Sequence, residues 1–227
     1  MGCTLPKSDM ATDFTANNCG GARWRTNPGG FIEVEGSGVP LIGPSDARFP
    51  EMVQTWQSFG RYLGPAADQH SLPRSWALSF ACVETGFLSK DPAAQARAVS
   101  GAGAVGVMQL MPQYFTKYTR DELLDPSINI PVGVGFIKTL CDSSACPWRC
   151  ELPYLGSVYN AGSGSSCIQC SPGKNVFNFT EDSDYSMQLV LYNNSALMFL
   201  KLSDSAWPWL LGGGLVAGAG AAAWLWR

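Results

Sequence analysis

Few residues in this chain are of the types that carry out acid–base or metal chemistry. The chain has 227 residues with one histidine, His70, and eight cysteines. Because a Ser-His-Asp triad would depend on that one histidine, and zinc hydrolases usually take several, the chemistry is sought among carboxylates and cysteines. Glu84 is the only acid between Trp76 and Leu88. Burial disfavours the charged form of a carboxyl group and suits it to general acid catalysis, whereas composition alone favours an exposed Glu in a last helical turn.

Three short motifs stand in order along the chain, beginning at this acid. The first is ETGF from Glu84, the second is SGAGAVGVMQLMP from Ser100, and the third is YNAG from Tyr159; the stretch DPSINI from Asp125 lies between the last two. The set resembles the lytic transglycosylases with the goose-type lysozyme fold, glycoside hydrolase family 23. The resemblance covers about residues 70 to 165. Thr85 departs from the Ser that usually follows the family's catalytic Glu, but it keeps a hydroxyl group.

The resemblance implies a reaction on peptidoglycan in which Glu84 is the catalytic acid and base. Glu84 protonates the oxygen of the β-1,4 bond between N-acetylmuramic acid and N-acetylglucosamine. It then accepts the proton of the sugar's C6 hydroxyl, which leaves a 1,6-anhydro end. Most glycosidases need two carboxylates, but here the substrate supplies the acceptor hydroxyl. No cofactor and no catalytic metal is therefore expected.

The same resemblance implies which side chains bind the glycan. Amide side chains offer both donors and acceptors for acetamido and hydroxyl groups. Tyr159 is expected to position the Glu84 carboxyl through its hydroxyl, and Gly103 and Gly106 are expected to serve the backbone conformation. The alternative for Met108 and Tyr159 is that they only pack the core. The residues expected to line the cleft are Ser100, Met108, Gln109, Tyr159 and Asn160.

The spacing of apolar residues indicates a mostly α fold, and the resemblance implies a lysozyme-like (SLT) helical domain over residues 46–204. Residues 1–45 are rich in Gly, Pro, Asn and Thr, which predicts an irregular arm with at most one strand pair. Apolar residues recur at three and four positions in four stretches, which predicts helices. These run from Phe49 to about Gly64-Pro65, from Pro73 to Gly86, from Asp125-Pro126 through Leu140, and from Asp182 to Leu202.

The C-terminal stretch predicts a membrane-spanning helix over 205–227. Ala206 to Trp226 carries no charge and has two tryptophans near each end. A helix of this length spans about 31 Å, close to the thickness of the hydrocarbon layer, and tryptophans are typical of its two interfaces. The alternative is a helix buried in the protein core.

Composition also restricts the partners. The formal net charge of −3 argues against nucleic acid, since phosphate binding needs an excess of Lys and Arg. Peptidoglycan strands and, through Ala206–Trp226, a membrane are the expected partners, with a homo-oligomer or a virion assembly left open. The N-terminus has no stretch typical of a signal peptide, so we expect an enzyme carried by a phage that opens the wall during genome entry, or a tail-anchored enzyme. The alternative function is a murein-binding structural membrane protein without activity.

Five of the eight cysteines fall within residues 141–170. An even number of cysteines is typical of disulfides, so at least one disulfide is predicted there. The alternative is a zinc site built from two cysteine pairs, 146 with 150 and 167 with 170. Cys82 lies in a predicted helix, where it is expected to be a buried apolar residue. The five are Cys141, Cys146, Cys150, Cys167 and Cys170.

Removal of residues 205–227 tests the predicted anchor. We expect the shortened chain to be soluble and still active, because the predicted span lies beyond the helical domain. Partition between membrane and soluble fractions, together with digestion of murein, measures both properties. A shortened chain that aggregates or loses helical circular dichroism would place the segment in the core.

Overall fold

The computed structural model describes residues 14, 21–86, 91–143, 150–161, 175–178 and 184–210, with side chains of the last helix described as far as 202. The described part contains one strand pair and six α-helices, so the expected mostly α architecture is confirmed. Two 3₁₀ turns, Pro112–Tyr114 and Glu122–Leu124, precede the fourth helix. The elements are β1 Trp24–Thr26, β2 Ile32–Val34, α1 Arg48–Gln69, α2 Arg74–Gly86, α3 Pro92–Ala96, α4 Pro126–Asp142, α5 Leu152–Ala161 and α6 Tyr185–Leu210.

Helix α2 is the centre of the core. Every residue from Ser75 to Val83 is buried, as expected for a helix that is surrounded by other elements. It packs against α1 and α6, and α6 also packs against α5. The side chain that follows this buried run, Glu84, is half-buried. The catalytic candidate therefore stands where the central helix approaches the surface.

Helix α1 is longer than the sequence predicts. It continues through Gly64-Pro65 to Gln69. A proline inside a helix removes one backbone hydrogen bond and favours a break. Here the additional turn buries Ala66 and Ala67 in the core, and this tertiary packing outweighs the local preference of Pro65.

The N-terminal arm contains the strand pair that the sequence allows. Strands β1 and β2 are antiparallel, with Trp24 opposite Val34. The Trp24 ring packs edge-on against Tyr154 at 5.0 Å, and its Nε1–H donates to the carboxylate of Glu151 at 2.6 Å. Burial raises the pKa of Glu151 above its usual value. The described part of the arm thus belongs to the same core as the helices.

Two polar side chains of α6 hold this arm in place. The amide of Asn194 accepts the backbone N–H of Ile32 at 2.8 Å and donates to the carbonyl oxygens of Ile32 and Pro40, both at 2.9 Å. Ser195 Oγ accepts the N–H of Ile42 at 2.8 Å. Both α6 side chains are fully buried, so no solvent competes for these bonds.

The predicted membrane span lies mostly outside the described residues. Helix α6 crosses the expected domain boundary at 204/205 and reaches Leu210, while residues 211–227 are not described. Within the described ranges, no helix has the length and apolarity required to cross a bilayer. The span over Ala206–Trp226 stays a prediction.

Of the five clustered cysteines, the two that the structure describes form a disulfide, as predicted. Cys141 at the end of α4 is bonded to Cys150, just before α5, so at least one of the predicted disulfides is confirmed. Cys82 is a buried free thiol as expected, and burial raises its pKa to about 12. Among the described residues no group of His, Cys, Asp and Glu is arranged to hold a metal; Cys146, Cys167 and Cys170 of the zinc alternative lie outside them.

Replacing Asn194→Ala tests the attachment of the arm. The change leaves buried N–H and C=O groups of Ile32 without a partner, and each such group costs about 1–3 kcal/mol. We expect a loss of at least about 2 kcal/mol in the free energy of unfolding, measured by urea denaturation. Gln57→Ala, at an exposed amide on α1, is the matched control and should cost about 0.5 kcal/mol or less. Equal losses in the two variants would contradict the attachment.

Candidate active site

Glu84 is held by a hydroxyl group from a distant helix. The phenol of Tyr185, the first residue of α6, donates a hydrogen bond to Glu84 Oε1, and Tyr185 is buried. Next to the acid, Thr85 Oγ1 donates to the carbonyl of Ala81 at 2.7 Å. The hydroxyl of Thr85, which stands where the family usually has Ser, therefore bonds within its own helix.

The second motif folds as a tight loop over residues 98–110. Val105 forms isolated bridges with Val99 and with Leu110, which fold the loop back on itself. Gly103 and Gly106 have φ values of +89° and +74°, a region that side chains with a Cβ rarely adopt. A Cβ on Gly106 would also lie 2.7 Å from the carbonyl oxygen of Leu123. Both glycines thus serve the backbone, as expected.

One buried side chain of α4 ties this loop to the rest of the domain. Asn129 accepts the N–H of Met108 at 2.7 Å, and its Nδ2 donates to the carbonyls of Val105 at 3.0 Å and Leu123 at 2.8 Å. Helix α4 begins just before it, where Asp125 accepts the N–H of Ser127, a typical N-cap that fixes the start of a helix. The loop is therefore positioned against the first turn of α4.

Met108 contributes its backbone to the site and its side chain to the core. The side chain is fully buried and lies against Gly133, where an added Cβ would be 2.5 Å from Met108 Cβ. This burial agrees with the packing alternative for Met108. Its carbonyl oxygen accepts the hydroxyl of Tyr159 at 2.6 Å. The interaction joins the second motif to the third.

Tyr159 lies near Glu84, but its hydroxyl does not have the expected partner. Its ring packs on Phe80 of α2, with 4.8 Å between centroids. Burial, and then the charge of Glu84, raises the pKa of Tyr159 well above its usual value. The hydroxyl donates to Met108, whereas Tyr185 is the tyrosine that donates to Glu84. The expectation that Tyr159 positions the carboxyl is corrected accordingly.

Gln109 combines an unusual backbone with a side-chain oxygen that has no partner in the described ranges. Its φ is +44°, a left-handed conformation that costs a non-glycine residue on the order of 1 kcal/mol or more. Its Nε2 donates to the carbonyl of Gly106 at 2.8 Å, while the buried Oε1 has no partner among the described residues. Buried acceptors are normally paired. This oxygen is therefore an exception within the described part of the chain.

The two remaining expected site residues lie on the same two elements. Ser100 is half-buried at the start of the tight loop, and its Oγ accepts the N–H of Ala104 at 3.0 Å. Asn160 is exposed near the end of α5, directly after Tyr159. The sequence motifs are thus brought together as a group around Glu84 through Tyr159, Met108 and the loop.

Tyr185 is the site residue that sequence reasoning missed. It lies 101 positions after Glu84 and outside the three motifs. The only signal was a tyrosine in the predicted helix over 182–202, which is too common a feature to indicate chemistry. Its role depends on the packing of α6 on α2, which places the first turn of one helix beside the last turn of the other.

One family model matches the part of the chain that holds the three motifs. Residues 64–168 match the family model described as Transglycosylase SLT domain. Among solved structures, the chain is similar to the X-ray structure of an inactive mutant of lytic transglycosylase Slt from Pseudomonas aeruginosa. The two are 22% identical with a TM-score of 0.47, and the match covers 64% of this chain and 24% of that chain.

Proposed function

We propose that this chain, whose residues 64–168 match the family model of the transglycosylase SLT domain, is a peptidoglycan lytic transglycosylase. The bond cleaved is the β-1,4 bond between N-acetylmuramic acid and N-acetylglucosamine, and the product carries a 1,6-anhydro end. The observation that carries the proposal is Glu84, half-buried at the end of α2 and bonded to Tyr185. This acid heads the three motifs that the fold brings together.

In the proposed reaction Glu84 first donates a proton and then accepts another. The protonated carboxyl donates its proton to the glycosidic oxygen as the bond from that oxygen to C1 of the muramic acid breaks. The carboxylate then accepts the proton of the C6 hydroxyl while that oxygen bonds to C1. The proton count returns to its start, so a single carboxyl group serves as acid and then as base.

The neighbours of Glu84 have supporting roles in this proposal. Tyr185 is a positioning residue, because its hydroxyl donates to Oε1 and holds the carboxyl in one orientation. Gln109, whose Oε1 has no partner among the described residues, is a glycan ligand in this proposal through its amide. The exposed amide of Asn160 and the hydroxyl of Ser100 are the further glycan ligands we propose.

We also propose that the enzyme acts on the periplasmic cell wall while anchored to a membrane through Ala206–Trp226. The support is the uncharged stretch with tryptophans near both ends. Local opening of the wall, as in phage genome entry, is the setting that we propose for such an anchored wall-cleaving domain. The matching test is whether the full chain sediments with membranes and purified virions.

Glu84→Gln tests the proposed acid. The amide has nearly the same shape, but it can neither donate nor accept the required proton, so we expect activity to fall by about 10²-fold or more. Mass spectrometry of murein digests made with the unchanged chain should find 1,6-anhydro ends, and the variant should keep its fold and its binding to murein.

Three results would contradict this account. Reducing ends in place of anhydro ends would identify a lysozyme. Residual activity of Glu84→Gln above about one per cent would mean that another acid does the work. Binding to murein without any product from the unchanged chain would favour the structural, inactive membrane protein.

Tyr185→Phe tests the positioning role. Removing the hydroxyl leaves the ring packed but frees the Glu84 carboxyl to rotate, and poor alignment of a catalytic group costs about tenfold or more in rate. We expect kcat to fall and KM to stay nearly constant, as measured by release of soluble muropeptides. Tyr154→Phe, which removes another buried phenol hydroxyl beside Trp24, is the matched control and should keep its kcat. Equal kcat values for Tyr185→Phe and the unchanged chain would rule the role out.

A further inference from the structure

Two buried hydroxyl groups meet where α5 packs on the first turn of α6. Ser157 Oγ and Ser186 Oγ are 2.9 Å apart, and both side chains are almost fully buried. Both residues lie outside the three motifs. Burying a hydroxyl is costly unless it is hydrogen-bonded, so the two helices are held at the separation that keeps these groups paired. We name Ser157 and Ser186 the hydroxyl pair.

The hydroxyl pair also holds the chain that connects the two helices. Ser157 Oγ donates to the carbonyl of Val176 at 2.6 Å. The proton of Ser186 is then shared between Ser157 Oγ and the carbonyl of Pro153, which is 2.9 Å away. Two protons serve three contacts, because a serine hydroxyl accepts as well as donates. One side chain of α5 therefore contacts the chain at points 19 and 29 positions further on.

A glycine allows the two helices to approach closely beside the hydroxyl pair. A Cβ on Gly156 would lie 2.5 Å from Leu189 Cδ1, well inside the usual contact distance between carbon atoms. It would also lie 3.1 Å from Ser186 Oγ and 3.4 Å from Ser186 Cα, so the backbone of α6 itself packs on α5. The first turn of α6 is thus fixed by close packing and by hydrogen bonds together.

This first turn carries the phenol that contacts the acid. Tyr185, which donates to Glu84, directly precedes Ser186. Because the hydroxyl is the atom of Tyr185 furthest from its backbone, a small rotation of the turn displaces it most. Resting on the proposed function, we infer that Ser186, paired with Ser157, is a positioning residue that acts through Tyr185. The helix that carries the third motif thereby determines where the Glu84 carboxyl is held.

Ser186→Ala in the full chain tests this positioning role. Alanine favours a helix more than serine does, so the turn stays helical while the hydroxyl pair is lost. We expect kcat for release of soluble muropeptides to fall about fivefold with KM nearly constant, since misalignment of a catalytic group acts on kcat. Ser79→Ala is the matched control and should keep its kcat. Ser79 is a buried serine of α2 whose hydroxyl bonds to carbonyls of its own helix.

A double variant separates positioning from a general loss of stability. If Ser186 acts through Tyr185, the chain with both Tyr185→Phe and Ser186→Ala has the kcat of Tyr185→Phe alone, because residues that act as a unit are not additive. A double variant in which the two single losses multiply would overturn the inference. A Ser186→Ala chain with the kcat of the unchanged chain would overturn it as well.

A measurement without turnover distinguishes this inference from the proposed function. The NMR shift of the Glu84 carboxyl carbon, identified by its absence from Glu84→Gln, reports the hydrogen bond from Tyr185. We expect Ser186→Ala to move this shift in the same direction as Tyr185→Phe does, and Ser79→Ala to leave it in place. An unchanged shift in Ser186→Ala would refute the positioning role at any level of activity. Expected shifts in a chain that releases no anhydro product would support the positioning and refute the proposed reaction.

Discussion

The buried amide of Asn129 is the constraint on which the site depends. It pairs a backbone N–H and two backbone carbonyls that no water reaches. Without it the Met108 N–H and the Leu123 carbonyl would lose their partner, at a cost of about 1–3 kcal/mol each, while the Val105 carbonyl would keep only the N–H of Leu110. The tight loop over residues 98–110 has little regular structure of its own, so this side chain, together with the packing of Met108 on Gly133, fixes where the loop lies relative to α4. The Met108 carbonyl, which receives Tyr159, and the strained Gln109 are positioned as a result.

Helix α6 connects the remaining parts. Its first residue, Tyr185, donates to the acid at the end of α2. Between two and three turns further on, the helix presents Asn194 and Ser195 to the N-terminal arm. The arm is thereby held by buried hydrogen bonds in addition to the packing of Trp24. Buried polar groups that are fully paired favour one arrangement over its competitors. The same helix therefore helps to fix both the catalytic candidate and the arm.

Much of the fold was predictable because periodic apolar residues and helix caps are local signals. The start of α4 at Asp125-Pro126 and the extent of α2 to Gly86 were both expected, and the strand pair in the arm was allowed for. The predicted end of α1 was wrong. The break expected at Gly64-Pro65 does not occur, because the burial of Ala66 and Ala67 outweighs the local preference for it. Helices α3 and α5 were not predicted, because neither has the length that makes a periodic pattern visible.

For the site, the sequence by itself determined which residue types are available and in what order: Glu84, the glycines of the tight loop, the amides and Tyr159. The spacing of these motifs was sufficient to indicate the SLT domain that the family model matches. It also singled out Glu84 as the acid, a role that stays a prediction. Only the tertiary structure decided which hydroxyl meets which oxygen. Tyr159 bonds to Met108 and Tyr185 bonds to Glu84, because the packing of α6 on α2 and of α5 on the loop brings these atoms within hydrogen-bond distance. Contacts between residues 51 and 101 positions apart leave no local pattern, so they become visible only in the folded chain.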